Sequence, residues 1–400
     1  MKILVSFPHA LGSPGIGWTA WNQVNELVRR GHEVTVVAAS VARPVAGATV
    51  TQSLALGGRR IPHRAVGRDR AFAWHDRVAE RTYERVRPDV VHLWPLAPGA
   101  TAAAARAGGA AVVREAPNTH TVRAWRAVEE EVRSLGLSGA VSTAHTADDA
   151  HLRMEQAEWD AATGVLAPSD VVADSFAAEG FSPDRIFRHQ YGFTPGTRRV
   201  DPRRADGRPL RAIYVGLGEP RKGLHYALRA WLDSDASRDG TFTIVGRMLP
   251  AYGDLLRDEL SHPSVRVVGF SSAIGAALAA SDVLLLPTIE EGSALVTYEA
   301  QGAGCVPLVS SAAGAMMDDG VHGLLHEPRD VSTLTEQLDL LSDDRERLAE
   351  LSSASIAHSP ELTWEAAGAS LEAAYGAALD AAHSSTPPGT ERGRVDAVPV

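Results

Sequence analysis

The 400-residue chain holds one cysteine, Cys305, and that scarcity removes two kinds of chemistry. No intrachain disulfide and no cysteine-based metal site can form, a usage that fits a reducing cytoplasm. An excess of positive charge is also missing. The formal net charge of −10 argues against a nucleic-acid partner, whose footprint would be a basic surface, though a local basic patch is not excluded. No apolar stretch approaches the ~20 residues needed to cross a bilayer, so no transmembrane segment is expected, while peripheral contact with a membrane stays open. The opening Met-Lys-Ile-Leu-Val-Ser-Phe is too short for a signal-peptide core and reads as a first buried strand. No His-Glu-x-x-His spacing points to a metal, and no Ser–His–Asp or Cys–His arrangement is needed. The loop after the first strand is not Gly-x-Gly-x-x-Gly, and the second strand closes on Ala-Ala-Ser without an acid, which disfavours a nicotinamide dinucleotide enzyme. Neither a metal nor a resident cofactor is expected.

What the chain does have is alternation. Short apolar runs at Ile3–Phe7, Val34–Ala39, Val90–Leu93, Ala110–Val113 and Val165–Ala167 are separated by amphipathic stretches such as Thr19–Arg30 and Ala71–Arg87. A second series follows at Ala212–Val215, Phe242–Val245, Val265–Val268, Val283–Leu286 and Val306–Val309. Strands alternating with helices imply βαβ units, and continuously apolar strands imply parallel sheets covered on both faces. The fold class is therefore α/β. Between the two series, "TPGTRRVDPRRADGRP" is rich in Pro, Gly and charge and keeps no apolar period, so residues 194–209 read as a linker. The chain also exceeds what one core usually serves. Two Rossmann-like domains are expected, 1–193 and 210–360, facing a central cleft at the C-terminal ends of their strands. A helix over 361–380 follows, then a tail at 381–400 with a disordered composition.

One stretch carries chemistry: "EEGSALVTYEAQGAGCVPLVS", residues 290–310. Val283–Leu286 is the strand before it, Ile289–Gly292 the loop, and Ser293 the N-cap of a helix running to about Gly302. The unpaired first-turn amides and positive dipole end of such a helix make an anion site. Glu291 lies ahead of it and Glu299 about two turns inside, so they reach different parts of one ligand. Two separated carboxylates can hold the hydroxyls of two sugar rings flanking a diphosphate. Spacing alone fits equally well a helix start with one acid favouring the dipole and one solvated glutamate. A second stretch, "YVGLGEPRKGLHYALRAW", places Gly216 and Gly218, then Arg221, Lys222 and Gly223, after the first strand of the same domain. The glycines let backbone approach a ligand, and the cations neutralise a diphosphate. An Arg-Lys pair by itself is most often solvated surface; at the same strand ends as two glutamates it is far less ordinary.

A Gly…Lys-Gly loop followed by Glu-x7-Glu, after an N-terminal Rossmann half, resembles the retaining GT-B glycosyltransferases of family 4. Further matches are "RRGHEVTVVAAS", "VLAPSDVVADSF", "HQYGF", "GAGCVPLVSSAAG", "DDGVHGLLHEPRD" and "LTWEAAGASLEAAY", so the resemblance covers roughly residues 1–378. It implies that Lys222 and Arg221 bind the donor diphosphate and that Glu299 holds the ribose hydroxyls. Glu291 would contact the transferred sugar, and backbone amides of Ser293, Ala294, Leu295 and Val296 would meet phosphate. Gly269 and Phe270 would lie near the base, and Gly15 and Gly17 would approach donor phosphates and acceptor. His120 would lie near the reacting sugar, with Arg114 and Glu115 as neighbours. Leu217 departs from the pattern, because many members carry Arg there; Arg221 is the nearest replacement. His92 reads as a hydrogen-bonded histidine lining a loop, and His9 as structural. His145 and His151 fit either the acceptor side or solvent. Cys305 reads as a packed thiol, and Trp18, Trp21 and Trp125 as packing residues.

The resemblance implies a cytoplasmic, metal-independent enzyme that moves a sugar from a nucleotide diphosphate sugar, its co-substrate, to an acceptor hydroxyl with retention. The acceptor can be a small molecule, a glycan or a lipid-linked group. The polar segment from Asn118 to Glu158 has no basic amphipathic face and leans towards a soluble one. Two other readings remain: another GT-B enzyme, such as a sugar-nucleotide epimerase, or a catalytically silent nucleotide-sugar binding protein.

Overall fold

The computed structural model describes residues 1–56, 59–61, 67–96, 99–137, 147–196 and 208–384. Every expected apolar run falls on a strand, with Ala110 alone standing one residue ahead of its own. In the first domain these are β1 (Lys2–Leu11), β2 (Glu33–Val41), β6 (Val90–Leu93), β7 (Ala111–Glu115) and β8 (Gly164–Ala167). The runs missed three strands, β3 (Thr49–Gln52), β9 (Ile186–Arg188) and, in the second domain, β15 (Leu324–His326). All three are short sheet edges, where one side has no strand neighbour and a continuous apolar run is not required. A two-residue antiparallel pair, β4 (Ala55–Leu56) and β5 (Arg59–Arg60), stands apart.

The first sheet runs β3-β2-β1-β6-β7-β8-β9 and is parallel throughout. The second contains β10 (Arg211–Val215), β11 (Thr241–Val245), β12 (Val265–Gly269), β13 (Val283–Leu286), β14 (Val306–Ser310) and β15. Its order is β12-β11-β10-β13-β14-β15, again parallel, so strand order reverses between β10 and β13. Such a switch point opens a crevice beyond the strand ends, and it lies where the Lys222 and Glu291 loops leave the sheet.

Two features join the domains. The final helix, Trp364–Ser384, returns to the first domain and buries Leu371, Ala374, Tyr375 and Ala378 in its core beside Val24 and Leu27. It runs four residues into the stretch expected as tail; 385–400 lie outside the described residues, as do 197–207 of the expected linker and His145. The helix Thr121–Ser134 crosses the other way, packing Val132, with Leu135 and Leu137 just beyond it, against the second domain's core. Its Glu131, fully buried, accepts from His225 Nε2 (2.9 Å), Tyr226 Oη (2.6 Å) and Arg329 Nε (2.8 Å). Burial would raise this carboxyl, but those three partners hold it below the ordinary value.

Candidate active site

The loop after β10 and the loop after β13 interlock. Gly223 has a left-handed φ of +69°, and a Cβ there would lie 1.9 Å from the Pro287 carbonyl oxygen, so only glycine lets the loops touch. Ile289 N donates to the Arg221 carbonyl at 2.9 Å, which fixes the cations against the carboxylates. Arg221 Nε reaches Glu219 Oε1 at 3.1 Å, and its Nη1 lies 3.3 Å from Glu290 Oε2 and 3.4 Å from Glu291 Oε2. Lys222 Nζ contacts the same Glu291 oxygen. Lys222 is one of only two lysines, with Lys2, in a chain whose other basic residues are arginines. Where arginine is the default cation, a compact ammonium at this point fits a single oxygen better than a planar fork. Burial and then the Arg221 guanidinium draw the Lys222 ammonium down to about 7, a shift that the Glu219 and Glu290 carboxylates oppose.

The helix after this loop begins at Leu295 and ends at Ala303. Ser293 does not cap it. Its hydroxyl instead pairs with Tyr298 Oη at 2.8 Å, and Ala294 occupies the N-cap position without a side-chain bond. The Ala294 amide is taken by the Ala313 carbonyl at 3.1 Å, so it is not free to meet phosphate as expected. Leu295 and Val296 keep amides with no acceptor among the described residues. Counted from Leu295, Glu299 lies about one turn inside the helix rather than the expected two. Glu299 borders a crevice of about 440 Å³ with Phe193, Thr194, Ser272, Ala273 and Gly275. No hydrogen bond or ion pair to it is present among the described residues, and burial raises its carboxyl to about 7. A desolvated, unpartnered acceptor facing a crevice is a group waiting for donors, and vicinal hydroxyls are such donors.

From the first domain, the loop after β7 reaches this cluster. Thr119 Oγ1 donates to Glu290 Oε1 at 2.7 Å, and a Cβ on Gly292 would lie 1.9 Å from the Pro117 carbonyl oxygen. Ser169 Oγ bonds the Gly292 carbonyl. Thr119, Glu219 and Glu290 were not among the expected site residues; only the adjacency of Glu290 to Glu291 hinted at one of them. His120, expected beside the reacting sugar, directly follows Thr119. Its ring packs on Trp159 (4.7 Å), Phe176 (5.1 Å) and Phe181 (6.0 Å), and burial lowers its pKa. It caps the helix Thr121–Ser134 by accepting from Val122 N at 3.4 Å. Aromatic packing and the cap fix it in the first domain's interior.

Gly15 and Gly17 flank the start of the first helix, Ile16–Arg29. Gly15, with φ +77° and open space where a Cβ would stand, presents bare backbone; Gly17 is closed off, its Cβ position 2.4 Å from Ser13 Oγ. Gly216 and Gly218 lie on the Lys222 loop, Gly218 N donating to the Arg247 carbonyl at 2.7 Å, while Gly269 ends β12 and Phe270 follows it, 73% exposed. Glu115 and Arg114 serve buried networks. Glu115 meets His92 Nε2 (3.0 Å), His189 Nε2 (2.9 Å) and Tyr191 Oη (2.9 Å); burial would raise it, but the two histidines hold it well below the carboxylate range. His92 Nδ1 lies 2.7 Å from Tyr375 Oη, so this histidine fastens the returning helix. Arg114 is locked between Glu155 (2.7 Å) and Glu158 (3.0 Å). His151 lies 3.6 Å from Glu155. Cys305 is buried in the second domain's core. Among the described residues no cluster of three or more His, Cys, Asp or Glu is arranged to hold a metal ion, and no helix is long and apolar enough to cross a membrane.

Comparison with known proteins places both halves. The profile "Glycosyltransferase Family 4" matches residues 14–189, and "Glycosyl transferases group 1" matches 209–344. The D-inositol 3-phosphate glycosyltransferase of Corynebacterium diphtheriae is 31% identical over 211 residues, 48% of this chain and 49% of that protein. The MMP alpha-(1->4)-mannosyltransferase of Mycolicibacterium hassiacum is 28% identical over 223 residues, 53% of this chain and 52% of that protein. The chain thus spans about half the length of the curated relatives it matches. Among solved structures, Anabaena HepE in complex with UDP superposes with a TM-score of 0.66 at 17% identity, covering 94% of this chain and 100% of that one, which speaks to the fold. One profile covers each domain, and the second includes the interlocked Lys222–Glu291 site: the chain is a GT-B protein of glycosyltransferase family 4, group 1.

Proposed function

We propose that this protein transfers a sugar from a nucleoside diphosphate sugar to an acceptor hydroxyl, with retention at the anomeric carbon and without a metal. The observation that carries the reading is the contact of Lys222 and Arg221 with Glu291 at the switch point, one turn of helix away from the unpartnered Glu299. Anabaena HepE has also been solved with UDP-glucose, in keeping with a nucleotide-sugar donor for this fold.

The diphosphate would lie against Lys222, Arg221 and the free amides of Leu295 and Val296, where positive charge builds no new order as the leaving group departs. Glu299 would take the ribose hydroxyls and Glu291 those of the transferred sugar. Glu291 is held by two cations, which suits a hydrogen-bond acceptor better than an attacking nucleophile. That arrangement favours a route in which the departing phosphate oxygen accepts the acceptor's proton on the face it leaves. The loop from Pro117 to Thr119 and the Gly15 turn would close the acceptor side and exclude water. We place the enzyme in the cytoplasm, and a soluble acceptor is the first to screen; the inositol phosphate named for the corynebacterial relative is a suitable start.

The test is calorimetric binding of UDP, GDP, ADP and TDP, with chelator present, to the wild type and to Glu299→Ala, followed by transfer assays with the sugar of the tightest nucleotide. Binding of one diphosphate, weakened by the substitution, supports the reading. No binding by any nucleotide sinks it. Binding without transfer or slow donor hydrolysis would favour the silent binding protein, and interconversion of the donor sugar the epimerase.

A further inference from the structure

The two interlocked loops hold more acid than base. Glu219, Glu290 and Glu291, all buried, surround the Arg221 guanidinium at 3.1, 3.3 and 3.4 Å, and Lys222 is in contact with Glu291 as well. Three carboxylates thus face two cations before any ligand arrives, and a diphosphate would bring further negative charge to a desolvated place. The Lys222 loop has no other cation to offer, because its exposed side chain, Leu217, is apolar. A cation does stand on the first domain. Arg43 follows β2 and is tied to the end of β1, its N donating to the Leu11 carbonyl at 3.2 Å. A Cβ on Gly12 would lie 2.6 Å from the Arg43 Cβ, so a glycine at the opening of the Gly15 turn lets the arginine come this near. The neighbouring Pro44 carbonyl accepts from Trp21 Nε1 at 3.0 Å. The Arg43 guanidinium carbon lies 4.9 Å from the centre of the Trp18 ring, and the side chain is exposed, with no ion pair or hydrogen bond among the described residues. Trp18 and Leu295 pack against one apolar cluster, which contains Tyr298 and Trp364. Leu295 opens the helix whose first amides are free, so Trp18 carries Arg43 to the wall from which that helix starts.

We propose that Arg43 reaches from the first domain to the donor diphosphate and adds the positive charge that two carboxylate-bound cations lack. A stacked guanidinium gives its face to the ring and keeps its in-plane N–H groups for an acceptor, and two of them match two phosphate oxygens. A phosphate contact from the first domain also couples donor binding to the approach of the two domains. The inference rests on the glycosyltransferase reading, because it takes a nucleoside diphosphate for the ligand.

The experiment measures binding of UDP, GDP, ADP, the matching nucleosides and inorganic pyrophosphate to the wild type, Arg43→Ala, Arg43→Gln and Glu299→Ala, with thermal unfolding as the check on fold. Both Arg43 variants are expected to weaken the preferred diphosphate and pyrophosphate roughly ten- to a hundred-fold, the usual effect of losing a hydrogen bond to a charged group, and to leave the nucleoside unchanged. Adding Leu217→Arg to Arg43→Ala returns a guanidinium to the Lys222 loop and is expected to restore most of the loss. An equal loss for the nucleoside would mean that the whole cleft is disturbed and would overturn the assignment. Unchanged diphosphate and pyrophosphate binding while Glu299→Ala is weakened would remove Arg43 from the donor site and leave the donor reading standing. A raised KM for inositol phosphate in that case would hand Arg43 to the acceptor. A wild type that binds no nucleotide would overturn both ideas.

Discussion

Replacing Glu299 by glutamine should make the empty protein more stable and the enzyme worse, and the two effects should separate with pH. Burial moves this carboxyl from 4.5 to about 7 in the folded chain, with no neighbour opposing the shift. The folded state therefore holds the proton more tightly than the unfolded state. Below about 4.5 both states are protonated and the residue is neutral in its effect. Between 4.5 and 7 the unfolded chain ionises first, so stability falls as pH rises, and above about 7 the full deficit persists. The shift corresponds to at most about 3 kcal/mol, and on the order of half that for a half-buried group partly reached by water. Glutamine keeps the shape and does not titrate. For a domain of this size the variant should unfold roughly 3–10 °C higher at pH 8 and nearly with the wild type at pH 4.5.

Calorimetric scans of both proteins at the two pH values test this directly. Saturating nucleoside diphosphate should reverse the order at pH 8, since a ligand at a hundred times its dissociation constant adds about 2.7 kcal/mol to the protein that binds it. A gain in stability paired with a loss of binding is what a site built for a ligand predicts, because the group is strained until the ligand satisfies it. An equal shift at both pH values, or a less stable variant at pH 8, would refute the reasoning and return Glu299 to the role of a solvated helix residue.

Lys222→Met should lower kcat by ~10²–10³, the usual loss when one donor to a developing anion is removed, and Lys222→Arg should not restore it because Arg221 and Glu291 already fill the space a fork needs; steady-state transfer within threefold of wild type would discount the lysine. Gly292→Ala sets a methyl 1.9 Å from the Pro117 oxygen, so the two loops must part; kcat/KM should drop at least ~10-fold while the thermal midpoint moves little, and full activity would show the loops need not touch. Glu131→Ala leaves the buried His225 without its carboxylate and loosens the exposed Arg329, at a loss of ~1–3 kcal/mol, read as a lower unfolding midpoint and a larger radius of gyration by X-ray scattering. A variant as compact and stable as the wild type would mean that this helix does not hold the domains together.

Some of this was legible in the sequence because it is local. Residues 283–299 carry a strand, a turn and a helix start within seventeen positions, and both glutamates follow from them. The strands of the two interiors were legible for a related reason: burial on both faces demands unbroken apolar runs, and β13 and β14 are buried along their whole length. The edge strands β3, β9 and β15 escaped because they are under no such demand. Small displacements escaped as well. Ser293 has the right chemistry for a cap, yet Tyr298 competes for its hydroxyl and the N-cap falls one residue later, at Ala294.

What local pattern could not convey is pairing across the cleft. Thr119 and Glu290 are 171 positions apart, Glu131 and His225 are 94 apart, and Glu131 and Arg329 are 198 apart. Nothing in either neighbourhood names the other, and the same holds for the packing of the His120 ring on Trp159 and Phe176. The division has a physical origin. A diphosphate is gripped by groups that one βα turn can supply, so its site survives as a motif. An acceptor is gripped between two domains, by side chains that become neighbours only when both cores are folded and docked. On the proposed function, donor chemistry would be written in short stretches of this chain, and acceptor choice in contacts such as Pro117 against Gly292, which exist only in three dimensions.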